Sequence, residues 1–246
     1  MTIIDFHTHV DEAPAFGWID PPDKIVALLD EAGIDLAVAM TYTDLPGLNP
    51  DALDYILDAV ARFPDRLVAF VRLNPNYRPE AAAALEEGIE RGARGLKLHP
   101  TTTLAHPADE PTVSLLRRCG ELGVPALFHC GDDPYTTPQT MAIAAAAAPD
   151  TAIVLGHMGG YLHVEEAIDA AVEHSNLYLE TSAMPYPEHI RTAIDRVGPE
   201  RVLFGSDGPG CNPRLELDKV RSLALDPADE ALVLGANAAR LLRIDR

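Results

Sequence analysis

Two histidines one residue apart, His7 and His9, stand near the start of the chain in the run TIIDFHTH. In an extended segment, side chains two apart share a face at a spacing of about 7 Å, close enough to hold one metal ion together. Five further residues able to join such chemistry close comparable apolar runs. They are Lys97 and His99 in GLKLHP, His129 in FHCG, His157 in GHMGG and Asp207 in FGSDGP. Neutral imidazoles with a carboxylate are borderline-to-hard donors that suit Zn2+, Mn2+ or Fe2+. Each residue alone has a plainer reading. A lone histidine at a strand end is commonly a hydrogen-bonded structural residue, Lys97 could be salt-bridged, and Asp207 could cap a helix. Five of the nine histidines in the same kind of position make the shared reading the stronger one. The other four, His106, His163, His174 and His189, fall in predicted loops or helices.

These residues need elements that bring them to one place. Runs rich in Val, Ile, Leu and Phe predict strands over 2–9, 34–41, 66–73, 93–100, 124–131, 151–158, 176–183 and 201–208. Segments of helical periodicity lie between them, such as DKIVALLDEAG and DALDYILDAVARF. Gly33, Gly92 and Gly123 stand where helix C-caps belong, and the alanine-rich 141–149 reads as a helix ended by Pro149. Strands alternating with helices imply parallel pairing through crossovers. Eight such units in 246 residues predict one α/β domain over 1–246, a (β/α)8 TIM barrel. The alternative, an open doubly wound sheet, lacks support: GxGxxG, the phosphate-binding GxxxxGK[ST] and GxSxG are all missing. A barrel carries its active site at the carboxyl ends of its strands, where the residues above fall.

Composition narrows the function classes. Hydrophobic residues make up 47% of the chain, enough for a sizeable core. Thirty-eight acidic residues against 19 basic ones give a net charge of −19, a poor match for a nucleic-acid backbone. The longest apolar run is too short to span a bilayer. Three dispersed cysteines (Cys119, Cys130, Cys211) form no disulfide framework, and no secretory leader pattern precedes the first strand, so a cytoplasmic location is expected. Only Lys24, Lys97 and Lys219 are lysines, and one of the three falls at the predicted mouth.

HxH on the first strand, Lys on the fourth, His on the fifth and sixth and Asp on the eighth together resemble the amidohydrolase superfamily. The phrases IDFHTH, GLKLHP, FHCG, GHMGG and FGSDGP, with the closing GANAARLL at 235–242, look like its amidohydrolase-related branch, which includes aminocarboxymuconate-semialdehyde decarboxylase-like enzymes. The resemblance runs from residue 3 to 242. It implies that His7, His9, His129 and Asp207 hold a divalent metal, zinc being the expected ion, and that Asp207 moves protons for a water the metal has made acidic. It leaves His157 with two roles, orienting water or substrate beside one ion, or ligating a second. Lys97 divides the same way. As a carbamate it would bridge two ions, and KLHP is similar to the KLYP phrase of dihydroorotase-like members; as an ammonium it would bind substrate beside a single ion. The second version is the one preferred.

Weaker candidates surround this set. His99 is expected either to touch substrate or to bond a neighbouring loop. Arg72 could clamp an anionic substrate through its bidentate fork or pair with a structural carboxylate. Asp5, on the His7/His9 parity, is expected to support those histidines from behind. Cys130 should point away from the metal into the core, and the loop 11–18, with the single Trp18, is expected to help cover the mouth. The leading function is metal-dependent hydrolysis of a small amide, ester, lactone or similar bond. The alternatives are non-oxidative decarboxylation of an unsaturated or aromatic acid and, less favoured, a non-catalytic metal-binding barrel. The expected partner is a small-molecule substrate, with no nucleic acid or membrane, and a homodimer is possible for the branch.

Overall fold

The computed structural model describes residues 1–42 and 50–245. Eight strands follow one another with helices between them: β1 (Ile4–His9), β2 (Leu36–Met40), β3 (Leu67–Ala69 and Val71–Arg72, broken at Phe70), β4 (Leu96–Leu98), β5 (Ala126–His129), β6 (Ile153–Gly156), β7 (Leu177–Glu180) and β8 (Val202–Leu203). Every pairing between them is parallel. One sheet runs β1-β2-β3, the other from the second half of β3 through β4, β5, β6 and β7 to β8. The break in β3 is spanned by Phe70 N–H donating to Ala39 O at 3.0 Å. On the other side, Phe6 N–H donates to Phe204 O (2.9 Å), Asp207 N–H to His7 O (2.7 Å) and His9 N–H to Gly208 O (2.7 Å). The first and last strands are thereby joined, and the fold is the (β/α)8 TIM barrel the alternation predicts.

The helices that cover the outside are α1 (Pro22–Ala32), α2 (Pro50–Arg62), α3 (Glu80–Glu90), α4 (Glu110–Leu122), α5 (Pro138–Ala147), α6 (Val164–Glu173), α7 (Pro187–Val197) and α8 (Pro213–Arg221). Pro at the first turn is frequent because its missing N–H would have no partner there and its φ is already helical. Gly33 and Gly123 close α1 and α4 in the left-handed conformation, φ 73° and 67°. Gly92 instead lies one residue beyond the cap of α3, which is Arg91. Among the described residues, no helix is long and apolar enough to cross a membrane.

Two apolar layers result. Strand residues that face outward, such as Ala37, Ala39, Phe128 and Leu155, pack with helix residues such as Ile25, Leu29, Met141 and Ile190. Inside the barrel, Ile4, Phe6, Leu36, Val38, Met40, Phe70, Leu127, Val154 and Leu203 form a separate cluster, completed by Ala238 and Leu242 of the C-terminal helix Asn237–Leu242. That cluster fills the lower interior and leaves only the carboxyl ends of the strands open to polar chemistry.

Candidate active site

The site begins with an irregularity in β1. Its register against β2 is Ile4 to Leu36 and Asp5 to Ala37, then Thr8 to Ala39 and His9 to Met40. Three steps on one strand therefore match two on the other, which is a β-bulge. Leu36 and Met40 belong to the interior cluster, Ala37 and Ala39 to the outer one. Phe6 fills the interior and the next residue, His7, also points inward, so the bulge reverses the strand's parity between them. Asp5 consequently lies on the opposite side from His9, and the expectation that it backs the two imidazoles is corrected. Its Oδ1 accepts instead from the backbone N–H groups of His7 (3.1 Å) and Ser206 (2.9 Å).

Above the bulge, one cavity of about 170 Å3 is lined by His7, His9, Trp18, Tyr42, Arg72, Lys97, His99, Thr102, His129, His157 and Asp207. Every residue singled out from the sequence as ligand, catalyst or substrate contact is among them. His9 Nε2 lies 3.1 Å and His7 Nε2 3.5 Å from Asp207 Oδ1, and His157 Nε2 lies 3.1 Å from His129 Nδ1. Among the described residues, His7, His157 and Asp207 bring donor atoms within 4.8 Å of one another. His157 and Asp207 stand just past the ends of β6 and β8, with φ of 66° and 58°. Left-handed backbone at non-glycine residues is uncommon and costs about 1–3 kcal/mol, a conformation characteristic of functional sites.

Two residues that sequence reasoning missed hold this cluster from below. Glu180, at the end of β7 and fully buried, accepts from His7 Nδ1 through Oε2 at 3.0 Å. The same oxygen takes Ser182 Oγ–H at 2.8 Å, while Oε1 takes Ser182 N–H at 2.5 Å. Ser182 Oγ lies 3.0 Å from His157 Nδ1, and the Ser182 carbonyl 3.3 Å from that nitrogen. A Cβ at residue 205 would overlap the Glu180 carboxylate, so glycine there leaves the carboxylate room to hold its bonds to His7 and Ser182. The loop after β7 is clamped by α8: Glu216 accepts from Ala183 N–H at 3.0 Å, and Lys219, ion-paired with Glu216, donates to Thr181 O at 2.8 Å. An acidic residue closing the apolar run NLYLETSA was the available signal for Glu180; nothing in the sequence marks Ser182.

Lys97 is 1% exposed, with Nζ 2.8 Å from His7 Nε2. Arg72 donates to Thr41 O (3.2 Å) and Thr102 Oγ1 (3.4 Å) at the cavity wall. The His99 ring stacks on His129, centroids 4.1 Å apart and planes 7° from parallel, and its buried Nδ1 is unpartnered. Trp18 belongs to a short hairpin (Asp11–Ala13 with Trp18–Asp20) rather than a loop, and packs on Tyr42 at 4.0 Å to wall one side of the mouth. Cys130 is buried in the outer cluster, away from the site, as strand alternation predicts.

Enclosure governs the protonation states. Burial pushes His157 down to about 4 and His99 to about 3, with Lys97 adding to both shifts. Burial likewise lowers His7, His9 and His129. All five imidazoles are thus neutral near pH 7, the form that ligates metals. Burial acts upward on Asp207, but the His9 hydrogen bond and the attraction of His9, His157 and Lys97 outweigh it and bring the carboxyl to about 2. Glu180 is pushed up to about 8 and Asp5 to about 7, both by burial against their hydrogen bonds. At His7, His157 and Asp207 neutral imidazoles and an ionised carboxylate fit a divalent cation in ligand type and spacing, while His9 and His129 of the expected ligand set lie outside that group.

Comparison with known proteins agrees with this geometry. An uncharacterised TIM-barrel protein from Bordetella bronchiseptica superposes with a TM-score of 0.82 at 22% identity, covering 99% of each chain. A dihydroxybenzoic acid decarboxylase from a Polaromonas species, solved with bound manganese and the inhibitor 2-nitroresorcinol, gives 0.79 at 20% identity over 100% of this chain and 98% of its own. A candidate 2-pyrone-4,6-dicarboxylic acid hydrolase from Pseudomonas putida gives 0.79 at 18% over the same shares. At these identities the likenesses establish the fold alone. A comparison with curated protein sequences gives no match. The family model described as amidohydrolase matches residues 4–244, nearly the whole chain, and this protein belongs to the amidohydrolase family.

Proposed function

We propose that the protein is a metal-dependent hydrolase of a small-molecule amide, ester, lactone or similar bond. His7, His9, His129 and Asp207 are assigned to one divalent ion, zinc for preference, with His157 beside it. The observation that carries this reading is an ionised Asp207 enclosed with neutral imidazoles at the barrel mouth. A cation held there supplies Lewis-acid polarisation and lowers the pKa of a water. Asp207 is placed to take a proton from the attacking water and return it to the leaving group. His157, whose Nδ1 is held by Ser182, directs its Nε2 edge toward the reacting atoms. Arg72 and Lys97 supply positive charge for an anionic part of the substrate, and Trp18 with Tyr42 excludes water from one side.

A second reading has its own support. A cavity of about 170 Å3, walled by Trp18, Tyr42 and the stacked His99–His129 pair and carrying two cations, suits a single-ring carboxylate. Decarboxylation of such an acid would use the same residues. Turnover of candidate substrates in 18O-labelled water separates the two. Label in the organic product supports hydrolysis, whereas release of CO2 with no label in the organic product sinks it. The same preparation, at one metal per chain and with Lys97 of unmodified mass, supports the one-ion version; two ions with added mass on Lys97 would replace it by a carbamate-bridged pair.

A further inference from the structure

We propose that Glu180 and Ser182 form a single positioning device that fixes the tautomers of His7 and His157 together, so that both present an Nε2 lone pair to the mouth. This rests on the metal-site reading above and goes beyond it. Offering an Nε2 lone pair, to the ion at His7 or to the reacting atoms at His157, requires the proton of each imidazole to sit on Nδ1, and the hydrogen-bond partners decide that. At His157, Nδ1 faces the Ser182 carbonyl at 3.3 Å, and a carbonyl oxygen only accepts. Nδ1 must therefore carry the proton, and the Nε2 lone pair stays on the cavity side, 3.1 Å from His129 Nδ1. At His7, Nδ1 faces Glu180 Oε2 at 3.0 Å, while an ammonium at Lys97 has only hydrogens to give to Nε2. The same tautomer follows.

The two histidines are linked through one oxygen. Glu180 Oε2 takes both the His7 N–H and the Ser182 hydroxyl, leaving the lone pairs of Ser182 Oγ for the His157 N–H at 3.0 Å. With a cation at the mouth holding Glu180 ionised against its burial, each of its carboxylate oxygens faces donors: Ser182 N–H on Oε1, His7 and Ser182 Oγ on Oε2. An amide in its place would have to turn its NH2 toward one of those donors, whichever way it was oriented. Asp5 provides a natural contrast. It is also fully buried beneath His7, yet it bonds the backbone N–H groups of His7 and Ser206, which an asparagine oxygen can still satisfy, and the Ser206 hydroxyl, which can accept as well as donate.

The test is metal binding by apo-protein, read from the loss of the free Mn2+ electron paramagnetic resonance signal during titration. Glu180→Gln is expected to weaken Mn2+ binding roughly 10–100-fold, the usual effect of removing a hydrogen-bond partner behind a ligand. Ser182→Ala, which leaves the His7–Glu180 bond intact, should weaken it by a smaller factor, and Asp5→Asn should leave it within about 2-fold of wild type. If Glu180→Gln fails to fold, Ser182→Ala against Asp5→Asn carries the comparison. Wild-type affinity in both Glu180→Gln and Ser182→Ala would overturn the proposal, as would an Asp5→Asn defect equal to theirs, which would mean that any change beneath the site acts alike. Absence of Mn2+ binding by the wild type is a different failure: it removes the metal-site reading itself, and this proposal with it.

Discussion

The lower and upper halves of the barrel interior are built from the same strands and follow opposite rules. Below, Phe6 and Phe70 meet edge to face at 5.5 Å within an aliphatic cluster in which no side chain ionises. Above, burial is as deep at His7, Lys97 and Glu180 and shallower at His129 and Asp207, and it encloses four histidines, a lysine and two carboxylates of one hydrogen-bonded cluster whose pKa values move both up and down. The change takes place across one peptide bond, from Phe6 to His7, at the β1 bulge. The lower half contributes burial free energy with little conformational demand. The upper half keeps His157, Ala183 and Asp207 in left-handed backbone, which persists only because surrounding structure imposes it. Stability and chemistry are thus divided by height along the barrel axis.

Substitutions on either side of that boundary should separate the two roles. Asp207→Asn should lower kcat roughly 10^2–10^4-fold, since the side chain can no longer accept a proton. Its melting temperature should stay close to wild type, because asparagine is one of the few residues that tolerates left-handed backbone. An unchanged kcat would remove Asp207 from the chemistry. Phe70→Ala makes the reverse prediction. It should cost about 3–5 kcal/mol in urea unfolding, while metal bound per folded molecule stays unchanged. A loss of metal without a loss of stability would show that floor and mouth are not independent.

What could be read from the sequence follows the same division. Strand and helix periodicity is a direct record of burial, so the barrel, its eight strands and its apolar outer layer were legible in the order of residues. The mouth was legible in its residue types, because His, Lys and Asp at the ends of apolar runs have few other reasons to be there. Its support was not. Strict alternation places Asp5 with His7 and His9, but a bulge leaves no signature in residue types and reassigns Asp5 to the backbone. Glu180 was overlooked because its role depends on a contact 173 positions away in sequence. Ser182 acts from a loop whose shape comes from a clamp by Glu216 and Lys219 on another helix.

The misread residue gives the subtlest test of how mouth and floor differ. Asp5 has a folded pKa of about 7 against an ordinary value of 3.8, raised chiefly by burial. Below about pH 4 the carboxyl is protonated whether the chain is folded or not; above about pH 7 it is ionised in both. Between these limits the folded state holds a proton that the unfolded state has released, so stability falls as pH rises through this window. Asp5→Asn lacks the titration and keeps an oxygen for the His7 and Ser206 N–H groups. Its stability relative to wild type should therefore climb from pH 4 to pH 7, by on the order of 4 kcal/mol, and level off above. All other ionisable groups are common to the two proteins, and to first order their contributions cancel in the difference. Urea unfolding of both proteins at pH 4.5 and pH 8, pH values taken to be about at the ends of the window, measures it. A difference that does not change with pH would mean that Asp5 ionises as freely in the folded chain as in the unfolded one, and that the boundary between apolar floor and titrating mouth lies above it.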